Sequence, residues 1–420
     1  MNDSGSYETV AQMDIDLSQI SFEGLKNIDP EYLHKESSYL YSSQKFGDLV
    51  KKCTLFIDKM QSWNVFKEIK LTLKDNSNSK TPDKVPIILN FQMVEKNYKL
   101  VIGTDIDGIE PSIYANGTIY NLFNRPNSLS ILSSKGLQNY RPFDLKFTFP
   151  LRDFLANAGI SLLNLQSFPS FNTSSNELYF NIKRKIGENV NISVDTVLSD
   201  QIYKPVASVS QKLRKHFSPF VSSFHKISIC KSNLDNNVLP ANGYKIGGDI
   251  YVAISSKEKL LKPSFKFQAH HFFNYLSIIL STNGNFGFLY PSTNSFFSER
   301  FYSGGPLSTK GFKYNSIGER ILGHNLGNSC IFNFNISIDH CFKNCLKNQI
   351  RYGIFMNSSF SPCFKNHLRF DKNLSVGICL SINMGQKAKL EISSACPLIY
   401  NHSDTLVKGL QFSLSLESEN

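Results

Sequence analysis

Apolar and polar residues alternate with a period of two through most of the chain from residue 98 onward. In these segments every second residue is apolar, and the residues between them are mostly small or polar. The clearest examples are 143–149, 190–194, 332–338, 374–382 and 410–416. A period of two is typical of a β-strand whose two faces meet different surroundings. The pattern therefore predicts that residues 98–420 are built from strands.

The first hundred residues carry a different order of signals: one strand, two helices and two further strands. The signals are an alternation at Ile20 and Phe22, a helix start at Asp29-Pro30, an apolar helical face between Leu49 and Met60, and alternations over 69–73 and 85–93. Aspartate is a favoured N-cap, and proline fits the first helical position. This order predicts one small α+β domain over residues 15–97, and residues 1–14 are predicted to be disordered.

Two architectures fit the alternating region, a soluble β-sandwich and a membrane β-barrel. The segments run for about nine to eleven residues, which suits a tilted strand that crosses a bilayer, whereas soluble strands are nearer five or six. Backbone groups in lipid must all be paired, so such a sheet has to close. We therefore predict a transmembrane β-barrel of about sixteen antiparallel strands. Its first strand is expected at Tyr98–Asp105 and its last at 408–416.

Composition and charge narrow the class of protein further. Hydrophobic residues make up 41% of the 420-residue chain and charged residues 19%, which is too apolar for a disordered protein. The formal net charge of +11 comes from scattered lysines and arginines, so we expect a solvated basic surface and no nucleic-acid partner. The first ten residues lack an apolar core and arginine, so neither a secretory signal nor a matrix-targeting helix is predicted.

The chain shows no pattern typical of an enzyme. It contains no nucleophile elbow, P-loop or HExxH motif, so no catalytic residue is predicted. The pairs Cys341 with Cys345 and Cys363 with His367 have spacings similar to zinc ligands. In the predicted barrel these pairs lie at opposite membrane surfaces, so we expect no metal and no cofactor. The eight cysteines are expected to be free thiols.

The most distinctive segment is rich in glycine and lies late in the chain. Residues 299–318 read ERFYSGGPLSTKGFKYNSIG, with Gly304, Gly305, Gly311 and Gly318 among aromatic and small polar residues. Glycine at this density disfavours both helix and strand, and it permits turns with positive φ and close backbone approach. The segment is therefore predicted to be an ordered loop.

This segment resembles the inward loop of the POTRA-plus-barrel family, which inserts outer-membrane proteins. The wording G-G-P-x-S-x-x-G-F is most similar to the mitochondrial branch, the barrel subunits of the sorting and assembly machinery. The resemblance covers nearly the whole chain from Ile20. It implies that residues 15–97 form one POTRA domain and that residues 299–320 fold back into the lumen of the barrel.

The resemblance also implies a set of loop residues and their contacts on the barrel wall. The loop residues are Gly304, Gly305, Ser308, Lys310, Gly311 and Phe312, and the wall contacts are Phe355, Asn357 and Asn325. The family has arginine where this chain has Lys310. The ammonium group of lysine therefore replaces a guanidinium group that could form two parallel hydrogen bonds. We expect Lys310 to face the neutral amides of Asn357 and Asn325.

A function follows from the resemblance. It implies that the protein inserts β-barrel precursor proteins into the mitochondrial outer membrane, with its POTRA domain in the intermembrane space and with accessory subunits of a sorting and assembly complex as partners. Insertion is expected at a lateral gate between the first and last strands, in contact with membrane lipid. The gate residues are expected to be Leu100, Ile102, Gly103, Gly409, Phe412 and Leu414.

Two other functions stay open on the sequence. One is a protein-conducting channel or secretion pore of the same superfamily in a plastid or bacterial outer membrane. The other is a soluble β-rich binding protein, in which the apolar faces of the strands would form an interior core.

Overall fold

The computed structural model describes residues 10–416, apart from 76–83, 106–111, 137–140, 168–169, 188, 208, 210, 215–216, 218, 256–258, 292–296, 322–323, 342–349, 364–368, 385–387 and 403. Within these described residues, none of the helices is both long enough and apolar enough to cross a membrane.

The N-terminal region has the predicted order of strand, two helices and two strands. Its elements are β1 (Ile15–Glu23), α1 (Pro30–Ser37), α2 (Phe46–Ser62), β2 (Phe66–Asp75) and β3 (Val85–Glu95). The three strands form one sheet in the order β1-β3-β2, in which β1 is parallel to β3 and β2 is antiparallel to it. A short 3-10 helix, Ser38–Ser42, joins the two α-helices.

Local sequence explains where these helices begin and what they bury. The side chain of Asp29 accepts a hydrogen bond from the backbone N–H of Glu31 at 3.0 Å, as expected of an N-cap. One face of α2 packs on the sheet. The fully or nearly fully buried core side chains include Leu33, Leu49, Cys53, Phe56, Met60, Leu89 and Phe91. This core gives the small module its own hydrophobic interior.

Residues 10–14 differ from the disorder predicted for 1–14. The backbone N–H of Phe46 donates to the carbonyl of Met13 at 3.0 Å, and the N–H of Val85 donates to Asp14 at 3.1 Å. These bonds join Met13 to the start of α2 and Asp14 to the start of β3, contacts with distant residues that the local sequence does not reveal. Residues 1–9 lie outside the described residues.

Among the described residues after 97, most of the chain forms one sheet of sixteen strands. Its strands are β4 (Tyr98–Asp105), β5 (Ser112–Tyr120), β6 (Ser128–Gly136), β7 (Phe143–Leu151), β8 (Phe154–Ser167), β9 (Phe171–Ile186), β10 (Val190–Pro205), β11 (Phe220–Ser232), β12 (Gly243–Ser255), β13 (Lys259–Phe273), β14 (Ile278–Phe288), β17 (Cys330–Cys341), β18 (Ile350–Cys363), β19 (Arg369–Asn383), β20 (Ala388–Ile399) and β21 (Leu410–Leu416).

Strand order in the sheet follows chain order, with β4 and β21 as the two end strands. Between β14 and β17 the chain makes a separate two-stranded sheet from β15 (Arg320–Ile321) and β16 (His324–Asn325). Short helical segments also occur at Leu122–Asn124, at α3 (Gln211–Arg214) and at Phe297–Glu299. The glycine-rich segment therefore lies in the long connection between β14 and β17.

The two faces of the strands have opposite character, as the alternation predicts. In β19, Ser375 and Ser381 are buried, whereas Ile378 is 64% exposed. In β21, Gln411 is buried and Phe412 is exposed. A polar inner face and an apolar outer face suit a barrel in lipid and do not suit a soluble sandwich. Several strands are longer than predicted, and β9 and β10 each have 16 residues.

The chain divides into two compact units. The first contains residues 1–102, 115–132 and 144–159, and the second contains residues 103–114, 133–143 and 160–420. The boundary predicted between residues 97 and 98 falls between β3 and β4. The glycine-rich loop and the strands that contact it belong to the second unit.

Candidate functional site at the inward loop

The loop 299–320 is folded by its own hydrogen bonds. Ser303 and Ile317 exchange backbone bonds, at 3.0 Å from Ile317 N–H and 3.3 Å from Ser303 N–H. The hydroxyl of Ser303 also lies 2.8 Å from that of Thr309 and 3.0 Å from that of Ser308. Gly304 has φ +103°, and a Cβ there would lie 2.5 Å from the carbonyl oxygen of Lys313. Glycine is thus required where the two arms of the loop meet.

An ion pair fixes the two ends of the loop. Arg300 Nη1 lies 3.2 Å from the Glu319 carboxylate, and only 1% of the Arg300 side chain is exposed. The same nitrogen donates to the carbonyl of Gly327 at 3.3 Å. A buried charge is tolerated only when paired and hydrogen-bonded, and both conditions are met here.

Lys310 at the loop tip contacts both a carboxylate and an aromatic ring. Its ammonium group forms an ion pair with Glu391 of β20 and lies 4.4 Å from the ring centroid of Phe355 in β18. The other oxygen of Glu391 is paired with Lys389 at 2.5 Å. One buried acid therefore lies between two lysines, and it holds the tip of the loop to β20.

The prediction that Lys310 faces only neutral amides is wrong, because Glu391 supplies a full negative charge. Asn357 is buried and lines the same polar cavity as Lys310 and Phe355. Asn325 meets the loop elsewhere: its side-chain amide donates to the carbonyl of Asn315 at 2.8 Å. Phe355 and Asn357 thus lie near Lys310 at the tip of the loop. Asn325 instead contacts the part of the loop around Asn315.

Gly311 and Phe312 lie against the last two strands. Gly311 has φ +90°, and a Cβ there would lie 3.1 Å from Ala395 Cβ and 3.2 Å from Pro397 Cγ, both in β20. The Gly311 N–H donates to Gln411 Oε1 at 2.6 Å, and Gln411 Nε2 donates to the Phe312 carbonyl at 3.1 Å. Phe312 itself is fully buried.

Backbone bonds join the same loop residues to the chain that leads into β21. The Val407 N–H donates to the Gly311 carbonyl and the Lys313 N–H donates to the Thr405 carbonyl, each at 2.9 Å. These two bonds flank an antiparallel bridge between Phe312 and Leu406. The loop tip is therefore paired as a short strand with the segment before β21.

The residues predicted for the first strand of the gate lie in β4. Leu100 is 67% exposed and Ile102 is 69% exposed, as expected for side chains that face lipid. A Cβ on Gly103 would lie 2.8 Å from the hydroxyl oxygen of Tyr114 in β5. Gly103 therefore gives room to a neighbouring ring, which is a packing reason for glycine at this position.

The residues predicted for the last strand lie in and just before β21. Gly409 has φ +114°, and a Cβ there would meet no described atom within 4 Å. Phe412 is exposed and Leu414 is half-buried, whereas Gln411 and Ser413 are buried on the other face. In the β20–β21 ladder, Phe412 is opposite Ile392 and Leu414 is opposite Leu390.

Sequence reasoning missed Glu391 as the partner of the loop residue Lys310, and Lys389 as the second base that pairs with Glu391. The available signal was an acidic residue on the polar face of an alternating strand, where serine and asparagine are usual. Alternation places a side chain on one face, but it does not say which distant loop residue lies opposite. The alternation over 410–416 does not indicate that Gln411 bonds to the loop.

Comparison with known proteins matches most of this chain to one protein superfamily. Residues 121–417 match the Omp85 superfamily domain. The chain is 22% identical to "SAM50-like protein CG7639" of Drosophila melanogaster, with 96% of this chain and 94% of the relative aligned. It is 20% identical to "Sorting and assembly machinery component 50 homolog A" of Xenopus laevis, with 96% and 91% aligned.

Solved structures agree with the architecture. BamA from Haemophilus ducreyi, in a form lacking POTRA domains 1–3, matches with a TM-score of 0.75 at 14% identity, over 96% of this chain and 85% of that one. CdiB from Acinetobacter baumannii matches with a TM-score of 0.59 at 13% identity, over 96% and 74%. The predicted fold, a transmembrane β-barrel of sixteen antiparallel strands preceded by one POTRA domain, is confirmed.

Proposed function

Because the chain belongs to the Omp85 superfamily, we propose that it inserts β-barrel precursors through a lateral gate between β4 and β21. Its general function is the insertion of β-barrel proteins into an outer membrane, and it is a multi-pass protein of the mitochondrial outer membrane, as predicted. The finer proposal concerns where the barrel opens and how an incoming strand is held.

The observation that carries the proposal is that β4 and β21 are the two end strands of the sixteen-stranded sheet. A barrel in lipid must close, so these two strands are the ones that meet. Gly103 lies in β4, and Gly409, with φ +114°, directly precedes β21. Glycine weakens a strand, which favours parting at this junction.

An opened junction offers unpaired N–H and C=O groups, which in lipid only another strand can satisfy. The C-terminal strand of a precursor can pair there by β-augmentation, and further hairpins can follow until the new barrel separates. Hydrogen bonds are exchanged in this process, so no ATP, cofactor or covalent chemistry is needed. Accessory subunits of a sorting and assembly complex are the partners expected around this gate.

The test locks the junction with a disulfide. Cysteine pairs placed along β4 and β21, in a chain whose native cysteines have been replaced, should cross-link at the matching register in the resting protein. The locked protein should keep its heat-modifiable gel migration, yet it should no longer insert a β-barrel precursor into vesicles. Reduction should restore insertion.

A matched control locks a different ladder. Ile227 and Ile250 are directly opposite in the β11–β12 pair, so the double variant Ile227→Cys/Ile250→Cys fixes a ladder away from the proposed gate and leaves the gate free. This control should insert precursors at the normal rate. If the β4–β21 lock also inserts at the normal rate, the lateral gate is wrong. Precursor that crosses the vesicle membrane and is then extracted at alkaline pH would instead indicate a secretion pore.

A further inference from the structure

We infer that Gln411 couples the inward loop to the last strand, so that β21 leaves its place only when the loop tip releases it. The inference rests on the proposed gate and names the contact that regulates it. Gln411 touches no substrate in this view, and it acts as a positioning residue for β21.

The first argument is the geometry of the Gln411 amide. Gln411 lies on the inner face of β21, with 8% of its surface exposed. Its oxygen accepts from the Gly311 N–H at 2.6 Å and its nitrogen donates to the Phe312 carbonyl at 3.1 Å. A carboxamide that donates and accepts in this way reproduces the bonding of a peptide group. The side chain thus adds one more rung between the loop and the strand.

The second argument is the backbone pairing beside it. The bonds Val407 N–H to Gly311 and Lys313 N–H to Thr405 tie the loop to the segment that enters β21. Leu410 is the first residue of β21, so these bonds end only a few residues before the strand. The loop therefore holds both the approach to β21 and the inner face of its second residue.

The third argument is that the same part of the loop is anchored on β20. Lys310 is paired with Glu391, and Gly311 lies against Ala395 and Pro397. In the strand ladder, Glu391 is opposite Ser413 and Ser393 is opposite Gln411. The loop tip thus spans the last hairpin. Displacement of β21 relative to β20 has to break contacts with the loop, and loosening of the loop removes contacts from β21.

The experiment measures backbone hydrogen exchange in the full chain in detergent, read by mass spectrometry for the peptides 299–320 and 404–416. Gln411→Leu removes both side-chain bonds. We expect exchange to rise about fivefold or more in both peptides, since each lost hydrogen bond is worth about a fivefold change in equilibrium. The matched control Ser413→Ala changes a buried residue of the same face of β21, and it should leave exchange in the loop unchanged.

A milder variant keeps the test informative if Gln411→Leu does not fold, as judged by heat-modifiable migration. Gln411→Glu retains an acceptor for the Gly311 N–H but loses the donor to Phe312. It should raise exchange in the loop and in the 404–416 peptide together, by a smaller factor. A rise confined to 404–416, with the loop unchanged, would overturn the coupling.

A double-variant cycle tests whether the signal passes through Gln411. Lys310→Ala should loosen the loop and raise exchange in 404–416. In the Gln411→Leu background, the same change should add much less, because the coupled contact is already gone. Independent, multiplying effects would overturn the inference. Coupled exchange without any change in precursor insertion would establish the contact and count against the proposed gate instead.

Discussion

At the scale of single residues, Glu391 is the group on which the loop tip depends. It is 9% exposed and pairs with both Lys310 and Lys389. Removal of one member of a buried ion pair leaves an uncompensated charge, which costs about 3–5 kcal/mol. Removing the acid and removing one of the lysines are not equivalent here, because Glu391 pairs with both Lys310 and Lys389.

Glu391→Gln should therefore impair the protein more than Lys310→Ala. The glutamine variant leaves two lysines close together without an acid, whereas the alanine variant leaves Glu391 still paired with Lys389. We expect Glu391→Gln to lower the yield of heat-modifiable barrel strongly, Lys310→Ala to lower it moderately, and Lys310→Arg to be tolerated. Lys245→Ala, at an exposed lysine of β12, is the control. Equal defects in the glutamine and alanine variants would argue against a shared acid.

A second prediction at this scale concerns Cys53 in the POTRA core. Burial raises the pKa of this thiol from 9.0 to about 11. Maleimide reacts with the thiolate, so the folded protein should leave Cys53 unmodified at pH 8 and modify it only as the pH approaches 11. The neutral thiol is the form favoured by folding, so its contribution to stability is full below pH 9 and is lost as the pH rises through about 11. Peptide mass spectrometry of native and denatured protein provides the comparison, and labelling of the folded chain at pH 8 would contradict it.

At the scale of elements, different structural constraints require glycine in the loop and just before the last strand. Gly311 combines a positive φ with close contacts to β20, whereas Gly409 has a positive φ and open space. A non-glycine residue at a positive φ costs about 1–2 kcal/mol, and a clash with packed neighbours adds to this.

Gly311→Ala should therefore be more harmful than Gly409→Ala. We expect Gly409→Ala to shift the denaturation midpoint in detergent slightly, and Gly311→Ala to shift it further and to expose the loop to protease. Limited proteolysis followed by mass spectrometry locates the cleavage within 299–320. If both alanine variants behave alike, then the contacts of Gly311 with Ala395 and Pro397 contribute nothing to the position of the loop.

The elements also show what the sequence can and cannot predict. The period of two identified the strands and their faces, because the lipid and the lumen impose opposite side chains on every strand. Strand ends were less predictable, since they depend on pairing: β9 and β10 run together from Phe171 to Pro205 around one turn. The contact between Lys310 and Glu391 could not be predicted, because alternation assigns a face and leaves the partner open.

At the scale of the whole molecule, the confirmed architecture makes an orientation testable. Residues 15–97, with their own core, are predicted to fold as a separate POTRA domain in the intermembrane space. Protease added to intact mitochondria should leave this region uncut, and it should be cleaved once the outer membrane alone is ruptured. A marker protein on the cytosolic face, degraded before rupture, is the control. Cleavage of residues 15–97 before rupture would reverse the orientation.

The bonds between the glycine-rich loop and residues 405–411 also have a consequence for how the protein itself is made. The loop is synthesised well before its partners, which lie within the last stretch of the chain. A polypeptide that stops before residue 405 therefore lacks the partners that hold Gly311 to Lys313, however complete its earlier hairpins are. The tip of the loop can take its final position only after residues 405–411 have been made, although the internal bonds of the loop can form earlier.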